Sequence, residues 1–144
     1  MIQITLPYPP SVNRYLKRFS NGHVTLSQAA RDFKTEVGWT CLAAGINPIL
    51  AECKVTIHLY RPSRRGDIDN PVKCLLDALQ GHAYTNDRDI TEIHIYRHDD
   101  KSNPRVEIEI ERADPYAREG RNLPVIGKRT KNPTRADGDG KKGR

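Results

Sequence analysis

The chain has 144 residues, with 24 Lys and Arg against 18 Asp and Glu, a formal net charge of +6; that is one ordinary domain, large enough for a core but not for two. It contains no long apolar run and no basic-then-apolar leader, so the sequence predicts a soluble, cytoplasmic protein with no membrane partner. Its three cysteines, Cys41, Cys53 and Cys74, form no CxxC pair and are odd in number, which argues against a disulfide framework and predicts reduced core thiols.

The first element is "IQITL", where Ile2, Ile4 and Leu6 alternate as a half-buried strand does. The prolines of "PYPPSVN" end it, because they cannot donate to a ladder. "RYLKRFSNGHVTLS" places two short segments around Asn21-Gly22, a hairpin signal. Ser27 then caps a helix whose Ala30, Phe33, Val37, Cys41 and Ala44 share one stripe and which stops at Gly45; Trp39 lies off the stripe. "CKVTIHLYR" alternates at Val55, Ile57 and Leu59 and reads as a central strand. A second helix begins at Asn70-Pro71, buries Val72, Leu75, Leu76 and Leu79, and ends before Gly81. "DITEIHIYR" and "PRVEIEIER" flank "HDDKSN" and predict an antiparallel hairpin, with Ile93, Ile95, Val106, Ile108 and Ile110 inward and Glu107, Glu109 and Glu111 toward water. These elements predict an α+β domain, a mixed β-sheet covered by two helices, over residues 1–112.

From residue 113 the texture changes. Pro, Gly and basic residues recur without a helix or strand period, and nine Lys and Arg face four Asp and Glu. The segment 113–144 is expected to be a basic, disordered tail carrying +5, which leaves only +1 on the body. It reads either as a solvated extension or as an arm adding nonspecific phosphate contacts.

The chemistry concentrates in "RRGDIDNPVKCLLDAL", residues 64–79. In extended chain Asp67 and Asp69 point to the same side, and two like charges so close need a cation. Lys73 stands four residues beyond Asp69 on the polar side of the helix. "YTNDRDITEI" then brings Asp87 and Asp89 back after the helix. Three carboxylates around one pocket suit Mg²⁺, a hard ion that keeps water and phosphate in its remaining positions. A lysine beside it stabilises phosphate charge or orients attacking water. Structural roles compete for each residue: Asp69 or Asn70 as a helix cap, Lys73 with Asp77 as an i,i+4 pair, the arginines as a solvated loop, and His58, His94 and His98 as ordinary strand residues. An EF-hand is excluded, since position six from Asp67 is Val72 and position twelve is Ala78.

The same stretch resembles the RusA family of Holliday junction resolvases, whose motif sets D-x-D-N, a lysine and D-A-L before a further aspartate. Here these are Asp67, Asp69, Asn70, Lys73, Asp77-Ala78-Leu79 and Asp87, and "LPYPPSVNRY" resembles the family's PPS-x-N-x-Y opening. The matches run from residue 2 to about residue 112. The resemblance implies a homodimeric, Mg²⁺-dependent endonuclease that cuts four-way DNA junctions symmetrically. It makes Asp67, Asp69 and Asp87 metal ligands and Lys73 a catalytic cation. Where the family pattern has paired acids, this chain has Asn86-Asp87, with Asp89 as the alternative third ligand. Arg14, Lys17, Arg18, Arg61, Arg64 and Arg65 are the candidate phosphate contacts, which position DNA without reading its bases. A noncatalytic junction-binding protein and a metal nuclease for flaps or forks are the rival readings.

Overall fold

The alternation at Ile2, Ile4 and Leu6 forms strand β1, Ile2–Pro7, in a computed structural model that describes residues 1–114. A 3-10 turn, Val12–Arg14, leads into β2, Leu16–Arg18, which pairs antiparallel with β3, Val24–Leu26. The expected turn is there, with Gly22 at φ +83°, a conformation that favours glycine. Helix α1, Gln28–Ala43, starts at Ser27, whose hydroxyl accepts the Ala30 N–H at 3.2 Å. Ala30, Phe33, Val37 and Cys41 are buried on its inner stripe; Ala44, expected on that stripe, is an exposed cap residue beyond the last turn.

Strand β4, Cys53–Arg61, is the centre of a four-stranded sheet of order β1-β6-β4-β5. Its inward residues Val55, Ile57 and Leu59 are completely buried. Helix α2, Val72–Leu79, follows, then β5, Ile90–Asp99, and β6, Arg105–Arg112. The sheet is mixed, because β4 runs parallel to β5 and antiparallel to β6. One apolar cluster joins the inner faces of β1, β4 and β6 to the buried stripes of α1 and α2, so both helices cover the same face. The α+β reading with two covering helices holds.

The expected β5–β6 hairpin does not form, because β4 lies between those strands. Their connection behaves like a tight turn: the Asp100 carboxylate accepts from Ser102, the Asn103 N–H and Arg105, while the Asp100 N–H donates to Arg61 O at 3.1 Å. It nevertheless crosses the end of β4. The physical reason is burial. β4 fills its inward side with Cys53, Val55, Ile57 and Leu59, whereas β5 carries Arg97 and Asp99 in register with Leu59 and Arg61. The apolar strand takes the slot with two neighbours, and the charged one takes the edge. Ile93, expected inward, is 43% exposed as a result.

All three cysteines are buried and free, as expected. Burial, and then Asp77, pushes the Cys74 thiol up to about 11 against an opposing pull from Lys34, so it stays protonated and inert. No helix among the described residues is long and apolar enough to cross a membrane. The tail expected over 113–144 lies outside the described residues apart from Ala113 and Asp114; Ala113 donates its N–H to Glu52 O at 2.8 Å.

Burial on β4 sets a stability test. Ile57→Ala should cost about 2–5 kcal/mol in urea unfolding, whereas Leu42→Ala on the exposed side of α1 should stay within about 0.5 kcal/mol. Equal losses would contradict the core described here.

Candidate active site

The loop between β4 and α2 makes its turn from backbone. Asp67 O accepts the Asn70 N–H at 3.2 Å and Asp69 O accepts the Val72 N–H at 3.0 Å. Gly66, at φ +85°, lets the chain reverse; a side chain there would be strained and would crowd Asn70 Nδ2 at 3.2 Å. Pro71 occupies the cap position of α2, and no side chain caps the helix. The capping role open to Asp69 and Asn70 is therefore not used. Among the described residues, the exposed carboxylates of Asp67 and Asp69 make no hydrogen bond or ion pair.

One turn into α2, Lys73 Nζ donates to Asp77 Oδ1 at 3.0 Å, so the i,i+4 pair is formed. Lys73 is 58% exposed and Asp77 only 16%. The other Asp77 oxygen accepts a hydrogen bond from the Tyr15 hydroxyl. A second tie joins the same regions, from the Val12 N–H to Asn70 O at 3.0 Å. The "PPSVNRY" segment is thus bound to both ends of the "DNPVKCLLDAL" stretch.

Beyond α2, Tyr84 is fully buried and its hydroxyl donates to Leu76 O. Burial, followed by the charges of Asp87, Cys53 and Asp77, pushes that hydroxyl well above the tyrosine range. Asn86 Oδ1 accepts the Arg88 N–H at 3.1 Å and caps the 3-10 turn Asp87–Asp89, so where paired acids were expected the first position is a cap. Asp87 acts on Tyr84, as Asp77 does, whereas Asp89 acts on Cys53 at the start of β4. Among the described residues, no three His, Cys, Asp or Glu side chains of this single chain are arranged to hold a metal ion. Asp67 and Asp69 precede α2, and Asp87 follows it.

The basic candidates divide. Arg14, Lys17 and Arg18 are exposed on the 3-10 turn and β2, with Lys17 Nζ 5.0 Å from the Phe19 ring centre. Arg61 is committed to Asp99, which Arg64 also approaches at 3.5 Å. The Arg61 hydrogen bond, with Arg64 and Arg97 nearby, holds the Asp99 carboxyl below the usual carboxylate range. Arg65 is exposed and has no partner among the described residues. His58 and His98 stack on the face of the sheet opposite the helices, with ring nitrogens 3.0 Å apart.

Sequence reasoning missed the roles of Tyr15, Tyr84 and Arg97, the last donating to Gly66 O at 3.5 Å. Tyr15 ends the PPSVNRY segment, but no spacing announces a hydroxyl bond to a residue 62 positions away.

This α+β domain, with Asp67 and Asp69 ahead of a lysine-bearing helix, matches over residues 7–111 the family described as Endodeoxyribonuclease RusA. The chain belongs to that family. It is 37% identical over 78 residues to the crossover junction endodeoxyribonuclease RusA of Escherichia coli and to that of Shigella sonnei, and 36% identical to that of Enterobacteria phage 82. Each match covers 53% of this chain and 64% of the relative's length.

The raised tyrosines give a pH test. Burial first, then the Asp77 hydrogen bond, lifts Tyr15 above the ordinary value near 10, and burial lifts Tyr84. A folded-state pKa above the unfolded one gives stability that is fully present below about pH 10 and is lost as pH rises past it. The urea midpoint should therefore fall above about pH 10, and less steeply in Tyr84→Phe. An unchanged slope in that variant would contradict the assignment.

Proposed function

We propose that this chain is a Mg²⁺-dependent endodeoxyribonuclease that resolves four-way DNA junctions by paired phosphodiester cleavage. The carrying observation is that Asp67 and Asp69, immediately ahead of α2, have no side-chain partner among the described residues, with the Lys73 ammonium one turn further on. A binding surface for phosphate has no use for uncompensated acids, which disfavours the noncatalytic reading. The relatives named as crossover junction endodeoxyribonucleases support the junction as substrate.

The donor chemistry fits Mg²⁺, because hard carboxylate oxygens are its usual protein ligands. Asp67, Asp69 and Asp87 would be the ligands, the first two ahead of α2 and the third beyond it. Asp87 is favoured over Asp89 because it is the better match to the aspartate that follows D-A-L in the family motif. When bound, the ion supplies Lewis-acid stabilisation of phosphate charge and a more acidic water. The chain's own part is to hold the scissile phosphate. Lys73 sets its ammonium against charge growing on the phosphoryl oxygens, while Arg14, Lys17, Arg18 and Arg65 grip flanking phosphates. Arg61 and Arg64 contribute through the Asp99 cluster that shapes the loop.

Cutting two opposed strands calls for two identical sites, so the active species is proposed to be a twofold homodimer in the cytoplasm. Residues 1–112 form the catalytic domain, and the basic segment 113–144 adds phosphate contacts.

Incubation with Mg²⁺ and a mobile four-way junction, beside flap and linear duplex controls, tests this reading. The junction should be cut in symmetric pairs by a protein that scatters light as a dimer. Asp67→Asn, Asp69→Asn and Asp87→Asn should each lose cleavage by orders of magnitude yet keep junction affinity in metal-free buffer. Removal of residues 113–144 should weaken binding and flatten its salt dependence without moving the cut sites. Wild-type cleavage by Asp67→Asn and Asp69→Asn would overturn the nuclease site, and preferential cutting of flaps would move the substrate.

A further inference from the structure

The Lys73–Asp77 pair is poorly explained as a helix-stabilising device. In an i,i+4 pair the favourable order is acid first and base second, and here it is reversed. An acid near the C-terminal end of the eight-residue α2 also opposes the helix dipole. Yet Asp77 is mostly buried, and each of its two oxygens is taken, Oδ1 by Lys73 and Oδ2 by the Tyr15 hydroxyl. Tyr15 is itself fixed from the other side, since its carbonyl accepts the Ser27 N–H at 2.9 Å and the neighbouring Arg14 carbonyl accepts the Ser27 hydroxyl. Ser27 is the cap of α1, so the chain of contacts starts from a rigid helix end.

We propose that Tyr15 and Asp77 are positioning residues that aim the Lys73 ammonium at the scissile phosphate. Tyr15 holds one Asp77 oxygen, which fixes the plane of the carboxylate, and the second oxygen then fixes the direction of Lys73. Without that hold, a long lysine side chain 58% exposed to solvent has many rotamers of similar energy. The hold also joins the lysine to the hairpin that carries Lys17 and Arg18, so DNA gripped by the hairpin is presented to a lysine already in place. This inference rests on the nuclease reading above, in which Lys73 acts on phosphate.

Tyr15→Phe keeps the ring and deletes the donor, and Asp77→Asn keeps an acceptor for Tyr15 but removes the charge that holds Lys73. In single-turnover cleavage of a four-way junction with Mg²⁺, each variant should cut about tenfold more slowly or worse. Junction affinity should stay within about twofold, since phosphate grip is untouched. The double variant should be no slower than Asp77→Asn alone, because both changes act through one carboxylate. Cleavage by Tyr15→Phe at the wild-type rate would overturn the inference. So would parallel losses of rate, affinity and urea stability, which mark a purely structural bond. If Lys73→Ala cuts normally, the lysine's assigned role fails first; if wild type leaves the junction intact, the nuclease reading falls and this inference with it.

Discussion

Everything about the site follows from the way β4 is paired. It lies parallel to β5 and antiparallel to β6, with Val55, Ile57 and Leu59 fully buried beneath the helices. Parallel neighbours cannot be joined by a tight turn, so the chain must travel back along the sheet before β5 can begin. Helix α2 makes that return and buries Val72, Cys74, Leu75, Ala78 and Leu79 on the way. The crossover creates a loop where the chain enters α2 and a turn where it leaves. Asp67 and Asp69 sit in the first, and Asp87 in the second. A hairpin in place of the crossover would have no such loop.

Charge is distributed unevenly over these segments. Asp99 is met by Arg61 and Arg64, and Asp100 by Arg105, whose hydrogen bond leads those holding its carboxyl below the usual range. Asp77 has Lys73 and Tyr15. Asp67 and Asp69, only two to five residues beyond Arg64 and Arg65, take neither arginine among the described residues. Exposed acids left without a counterion add nothing to stability, and such local departures are expected where a ligand is to be bound. The backbone turn through Asp67 and Asp69 makes this possible, because the Asn70 and Val72 amides bond main-chain carbonyls rather than the carboxylates.

Much of this was legible in the sequence, element by element. Alternation located β1 and β4, Asn21-Gly22 located the small hairpin, and Ser27 and Gly45 bracketed α1. The acid loop and its lysine stood out because charged residues of both signs crowd the start of an apolar helix. Strand partners were not legible. The period of β5 and β6 fixes which side chains face inward, but a pattern of two says nothing about which strand lies beside which. The Tyr15–Asp77 bond was hidden for a related reason, being a contact between distant segments whose chemistry is ordinary for either residue alone. The placing of Asp87 relative to Asp67 and Asp69 likewise depends on how the loops close, which local pattern does not encode.

Asp67 and Asp69, ahead of α2, are proposed to hold a divalent cation. Its most direct measurement is Mn²⁺ binding, followed by electron paramagnetic resonance on the full chain, in wild type and in Asp67→Asn and Asp69→Asn. Saturable binding that competes with Mg²⁺ is expected in wild type and should be lost or severely weakened in both variants, with their circular dichroism unchanged. Undiminished Mn²⁺ binding in both variants would contradict it.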